Sequence, residues 1–302
     1  MKHILMVATG GTIACRQTGH GLAPSLTGEE LLELLPEIGS ICRVFVENPL
    51  SMDSTDMCAA DRMKIAGCIW DNYDRFDGFV ITHGTDTLSY TSALLYHVLR
   101  NLNKPVIVTA SQRPMTDPES DAARNLLDAF RVACSGYVGV AAVLHGQIIR
   151  GNHVVKMHST AIDAFRSVGA PLAGTVDEDG KVRLKIVPLL GGEPYFVEKV
   201  DPKIVLMKLV PDLDPSIFDF LSRYPKVIIE GFGSGGIPQR LEKVVQKLIQ
   251  GGTKVYLTSQ CIEGETNLHK YAVGRRAEAM GAISLGHRTT VDAVAAIMCG
   301  EI

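Results

Sequence analysis

Short apolar runs of period two alternate, along the first half of the chain, with longer segments of helical period. HILMVA, ICRVFVE, GFVITH, KPVIVTA and YVGVAAVL predict strands, while residues 59–73, 86–100 and 119–134 predict helices. Strand and helix in turn imply a parallel sheet covered by helices on both faces. Turn residues follow the strands, as in THGTD and TASQRP. Polar groups therefore gather at the carboxyl ends of strands, where open α/β sheets bind ligands.

After residue 145 the pattern changes. QIIRGNHVVKMHST reads as two extended runs about a Gly-Asn turn, which predicts a hairpin. A Gly- and Pro-rich stretch, PLLGGEPYFVEKVDP, then reads as a linker at about 191–202. The alternation restarts with KIVLMKLV, KVIIEGF and TKVYLTSQ. The expected organisation is a larger N-terminal parallel-sheet domain over 1–190 and a smaller, flavodoxin-like α/β domain over 203–302.

With 302 residues, 46% of them hydrophobic, the chain is long enough for two domains with substantial cores. A net charge of -3 without a basic run gives no footprint for nucleic acid or a membrane surface. The expected partner is a small molecule or another copy of the chain. ILMVA is shorter than a signal-peptide core, and seven scattered cysteines form no CxxC pair, so reduced thiols and a cytoplasmic protein are expected. His153 and His158 flank Lys156 but are five positions apart, an odd spacing that puts them on opposite faces of a predicted strand, which argues against a metal site.

GFGSGG after the strand KVIIE satisfies a dinucleotide-binding spacing. Its context fails, because Pro238 follows at once and no acidic residue closes the next strand. The expected role is a strand-to-helix loop, and no cofactor is expected.

Three stretches combine nucleophile, acid and base types at strand ends. ATGGTI offers Thr12 behind two glycines that tolerate a tight turn and a close approach; THGTDT offers His83, Thr85 and Asp86; HVVKMHS places Lys156 between apolar neighbours. Thr9 is expected to be structural, and His83 packed rather than catalytic. A lysine so placed is partly desolvated, which favours its neutral, proton-accepting form. A hydroxyl nucleophile needs such a base, and an acid to orient it. Singly, each residue also has a plain structural role: the threonine and Asp86 as helix caps, Lys156 as a snorkelling side chain. Spacing alone does not bring the three stretches together.

TGGTI followed by THGTDT resembles the bacterial-type L-asparaginase and glutaminase family. DSTDM at 53–57, PVIVTASQRP at 105–114, RGNHVVK at 150–156 and SQCIEGETNLHKYAVGR at 259–275 extend the resemblance over nearly the whole chain, with the character of the short cytoplasmic (type I) forms. The resemblance implies hydrolysis of L-asparagine, with Thr12 attacking the side-chain amide carbon to form an acyl-enzyme and release ammonia. It implies Thr85, Asp86 and Lys156 as a second catalytic group, Lys156 accepting the proton and Asp86 also holding the substrate α-ammonium. Gly11, Asp53, Ser54, Thr55 and Ser111 match substrate-binding positions, Ser111 through the backbone that faces the leaving amide nitrogen. A homodimer or homotetramer is implied as well.

One departure stands out. The family's first hairpin usually carries a tyrosine that helps activate the threonine, whereas ACRQTGHGLAPSLTG has none and Leu22 falls at its register. Either Lys156 acting through Thr85 suffices, or a hydroxyl comes from elsewhere, for instance Tyr271 across a subunit interface. The competing readings are a glutaminase, the amidase subunit of a tRNA amidotransferase, and a noncatalytic amino-acid sensor. The amidotransferase subunit normally carries an extra N-terminal domain, and TGGTI here begins close to Met1. Retention of a nucleophile and a lysine base argues against the sensor.

Overall fold

A computed structural model describes residues 1–19, 21–186 and 191–302, which form two compact units, Met1–Glu198 and Lys199–Ile302. The expected domain end at residue 190 lies outside the described residues. In the first unit the strands are β1 (His3–Ala8), β2 (Cys15–Thr18), β3 (Gly21–Pro24), β4 (Arg43–Glu47), β5 (Gly78–Thr82), β6 (Leu99–Arg100) and β7 (Pro105–Thr109). They continue with β8 (Gly139–Leu144), β9 (Gln147–Arg150), β10 (Val154–Lys156), β11 (Phe165–Ser167), β12 (Gly174–Val176), β13 (Val182–Leu184) and β14 (Tyr195–Phe196). The helices are α1 (Gly28–Glu33), α2 (Ile38–Ile41), α3 (Ala59–Asp71), α4 (Leu88–Val98) and α5 (Ala122–Ala133), the last three within a few residues of the spans read from periodicity.

The main sheet has the order β13-β12-β9-β8-β7-β5-β1-β4. From β4 to β8 it is parallel, as expected, but β9, β12 and β13 join it antiparallel. Period two explains the layering. Ile4, Met6, Val80, Ile107, Ala141 and Val143 share one core with Leu31 of α1, Ile38 of α2 and Leu126 and Phe130 of α5. The alternate positions Leu5, Val7, Phe79, Ile81, Val106 and Val108 are buried on the other face, where α3 and α4 contact the sheet and Tyr73 stacks on Phe79. Central strands buried on both faces read as nearly continuous apolar runs.

The hairpin expected about Gly151-Asn152 does not form. β9 pairs with β8 and β12, while β10 pairs with β11. The hairpin turn is instead His145-Gly146, joining β8 to β9 with both residues at positive φ, 48° and 71°. That is the backbone a two-residue hairpin demands, and it took a histidine where Asn or Asp is the usual signal. In the stretch read as a linker, Tyr195 and Phe196 pair with β6, and Phe196 approaches Trp70.

The second unit carries β15 (Ile204–Lys208), β16 (Lys226–Gly231), β17 (Lys254–Ser259) and β18 (Ile283–Ser284) in sequential parallel order. Its helices are α6 (Ile217–Leu221), α7 (Glu242–Gln250), α8 (Ala272–Ala279) and α9 (Thr290–Met298). Val227, Ile229, Val255 and Leu257 face α6, α7 and α8, whereas Ile228 and Tyr256 pack on Ala293 and Ile297 of α9. GFGSGG is the turn leaving β16. A Cβ at Gly235 would lie 2.7 Å from Thr266 Cγ2, so the glycine admits Thr266 and Leu268 by close contact.

Candidate active site

The first loop is fixed by its backbone. Thr9 donates both its N–H and its hydroxyl to the Thr82 carbonyl, at 3.2 and 2.8 Å, which occupies it structurally. Gly10 and Gly11 follow at φ 92° and 76°. Met52 donates to the Thr9 carbonyl at 3.2 Å and accepts from the Gly11 N–H at 3.1 Å, so the 52–55 loop is laced to this turn. A Cβ on Gly10 would meet Met52 backbone at 2.6 Å, and one on Gly11 would overlap the backbone of His83 and Gly84. The glycines are thus required by contact with two other loops. Thr12 begins a 3₁₀ turn whose Ile13 and Ala14 are buried while Thr12 is half-buried. Among the described residues its hydroxyl has no hydrogen-bond partner.

The second loop begins with Asp53, whose Oδ1 accepts the Thr55 N–H at 2.8 Å and the Thr55 hydroxyl at 2.9 Å. This is a local Asx turn, the usual use of an aspartate before a tight turn. Ser54 is buried; its carbonyl accepts the Thr87 hydroxyl at 2.7 Å, and its side chain occupies the space beside Gly84. The Cys15 thiol has its pKa pushed up, first by burial and second by the charge of Asp53, which sets that carboxylate near the first turn.

The third loop follows β5. Lys156 on β10 donates to Thr85 Oγ1 at 2.8 Å and to Asp86 Oδ1 at 2.7 Å. Its side chain is 15% exposed and that of Asp86 56%, so the pair has one protected and one open end. Thr85 is buried. Beneath them, His83 is fully enclosed: Nδ1–H donates to the Gly84 carbonyl at 2.7 Å, and Nε2 accepts from the Thr91 hydroxyl at 2.8 Å, beside Met57 Sδ. Only neutral imidazole satisfies both bonds in that tautomer. Burial, opposed by the Gly84 bond and aided by the nearby Arg62, pushes its pKa down to about 4.

The fourth loop follows β7. Ser111 is 1% exposed, and its hydroxyl donates to the Arg113 carbonyl at 2.5 Å. Met115 N–H reaches the Ile13 carbonyl at 3.2 Å, which ties this loop to the turn carrying Thr12. Sequence reasoning did not single out Asp121, which holds the loop through its carboxylate. Its only signal was an acidic residue at the start of a helix, a common cap position.

The first three loops interlock through Gly10, Gly11, Met52, Ser54 and Gly84, and the fourth joins them through Ile13. Together they bring Gly11, Thr12, Asp53, Ser54, Thr55, Thr85, Asp86, Lys156 and Ser111 to one end of the sheet, from loops up to 145 positions apart by number, 11 to 156. Leu22 lies on the β2–β3 hairpin opposite Gln17 and is 53% exposed. Tyr271, in the second unit, is 54% exposed at the start of α8. A threonine hydroxyl without a hydrogen-bond partner among the described residues, on a turn whose Gly11 packs against the loop where Lys156 bonds Thr85 and Asp86, suits nucleophilic attack assisted by a base.

Residues 3–188 match the N-terminal domain of the asparaginase family, and residues 203–300 match the glutaminase/asparaginase C-terminal domain. An L-asparaginase of Thermococcus kodakarensis is 36% identical over 293 residues, covering 95% of this chain and 88% of that protein. A glutamyl-tRNA(Gln) amidotransferase subunit of Pyrococcus furiosus is also 36% identical, over 296 residues that cover 93% of this chain and 67% of that one. The solved structure of the thermostable L-asparaginase from Thermococcus kodakarensis superimposes with a TM-score of 0.93 at 35% identity, covering 99% of this chain and 92% of that one. That of a probable cytoplasmic L-asparaginase from Campylobacter jejuni gives 0.87 at 26% identity, covering 100% and 95%.

Proposed function

Since the chain belongs to the asparaginase family, we propose that it is an amidohydrolase that converts L-asparagine to L-aspartate and ammonia through an acyl-enzyme on Thr12. The observation that carries the reading is the pair of contacts that Lys156 makes to Thr85 and Asp86, two residues on the loop whose Gly84 presses against Gly11.

In this reading Asp86 and Asp53 hold the substrate α-ammonium, and the short donors of Ser54 and Thr55 meet its carboxylate. Held at that end, the side-chain amide lies over Thr12, and positioning of this kind supplies much of an enzyme's rate. Thr12 Oγ attacks the amide carbon while its proton passes through the Thr85 hydroxyl to the unprotonated Lys156 amine. The tetrahedral intermediate collapses, the C–N bond breaks, and the proton returned from Lys156 leaves with nitrogen as ammonia. Water then attacks the threonine ester, losing its proton along the same path, and releases L-aspartate with Thr12 restored. Lys156 acts here without a lid tyrosine, consistent with Leu22 at that register. A cytoplasmic homo-oligomer completes the proposal, read by the mass in solution.

The similarity to the amidotransferase subunit favours a second reading, an amidase that acts on glutamine for a partner protein. The two substrates differ by one methylene, worth about 1–3 kcal/mol in a pocket. Ammonia release by the purified protein decides: faster from L-asparagine than from L-glutamine supports the first reading, the reverse supports the second, and none from either leaves the sensor.

A further inference from the structure

Asp121 opens α5 with its carboxylate turned onto the loop after β7. Oδ1 accepts the N–H groups of Gln112 at 3.0 Å and Arg113 at 3.2 Å. Oδ2 accepts the Gln112 N–H at 3.1 Å and Asn125 Nδ2 at 3.0 Å. Asn125, buried one turn further along, donates to the Ala110 carbonyl at 2.9 Å and accepts the His145 N–H at 2.8 Å. The Arg113 carbonyl accepts from Ser111 and, at 3.0 Å, from Ser120. Backbone groups on either side of Ser111 are thus pinned to one helix. The Ser111 carbonyl itself, in a residue 1% exposed, accepts no hydrogen bond among the described residues. A buried carbonyl left open costs free energy unless something else fills it.

We infer that Asp121 and Asn125 are positioning residues that aim the Ser111 carbonyl at the N–H of the scissile amide, an inference that rests on the amidohydrolase reading above. A carbonyl so aimed accepts from the amide nitrogen and holds it as the C–N bond breaks. It can do nothing comparable for an ester, whose leaving atom is an oxygen without hydrogen. Asp121 and Asn125 therefore tune the reaction for amides rather than for acyl transfer in general.

The test compares kcat/KM on L-asparagine and on L-aspartate β-methyl ester, since both report the steps up to the acyl-enzyme. Asp121→Asn keeps the shape but turns an NH₂ group toward N–H donors on whichever side it faces. Asn125→Ser removes the tie to Ala110 by a second route. Each variant is expected to lower kcat/KM on the amide by about tenfold to a hundredfold and on the ester by less than about threefold, the scale on which small misplacements act. The amide-to-ester ratio does not depend on the folded fraction, and ester turnover reports the fold. Equal losses on both substrates, or undiminished amide hydrolysis, overturn the inference and leave the reaction standing. A wild-type protein inert toward the amide overturns the reaction and the inference with it.

Discussion

Lys156 Nζ lies 2.8 Å from Thr85 Oγ1, across 71 positions of chain. A lysine amine held on a threonine hydroxyl is a proton path only if that amine can be emptied and refilled during each turnover. Lys156→Met should keep the fold and lower kcat by about 10²–10⁴-fold, the usual contribution of a positioned base. Lys156→Arg should not rescue it, because a guanidinium stays charged. Ammonia-release kinetics beside a thermal melt check both, and near-normal turnover by the methionine variant would remove Lys156 from the chemistry.

Gly11 combines φ 76° with ψ 178°, a region open essentially to glycine alone. Gly11→Ala should cost about 1–3 kcal/mol in backbone strain, and its Cβ would also drive Gly84 off the turn. Activity should fall further than stability, since the displaced loop carries Thr85. Gly39→Ala, where a Cβ meets open space in a helix, is the control and should leave activity unchanged with stability equal or higher by up to about 1 kcal/mol. Urea midpoints and kcat/KM read the difference.

His83 is neutral when folded, with a pKa of about 4 against an ordinary value near 6.5. Between those values the unfolded chain binds the extra proton. The contribution to stability is therefore fully present above pH 6.5 and is lost as pH falls through 4, to a total of about 3 kcal/mol at 1.36 kcal/mol per pH unit. His83→Gln should flatten that part of the urea-midpoint profile between pH 7 and 4.5. A variant profile parallel to the wild type would assign the acid sensitivity to other groups.

If Lys156 through Thr85 suffices, neither Leu22 nor Tyr271 is needed to activate Thr12. Leu22→Ala and Tyr271→Phe should each keep kcat within about threefold, a barrier change under about 0.7 kcal/mol. A larger loss in the phenylalanine variant would show that a tyrosine hydroxyl does take part.

Much of the fold could be read from period and punctuation, because strands buried on both faces and helices with one apolar face leave strong local patterns. The parallel half of the main sheet is of this kind. Its antiparallel half was hidden by short strands and by a His-Gly turn, whose positive φ values come from tertiary context and not from the familiar Asn-Gly signal. The glycines before Thr12 were legible as a turn, but the reason for them, contact with Met52 and Gly84, is nonlocal. No spacing rule joins Thr85 to Lys156, and the bracing of Ser111 by Asp121 and Asn125 appears only once α5 is packed. Spacing names residue types; the packed loops decide which of them meet.

The central claim is a covalent one, and acid quenching during turnover tests it directly. Wild-type protein mixed with L-asparagine, quenched within a fraction of a turnover, digested and weighed should show an aspartyl ester on the peptide containing Thr12, and Thr12→Ala should show neither the adduct nor steady-state ammonia release while melting as the wild type does. An alanine variant that still turns over L-asparagine at near-normal rate, or an aspartyl adduct on another residue, would contradict it.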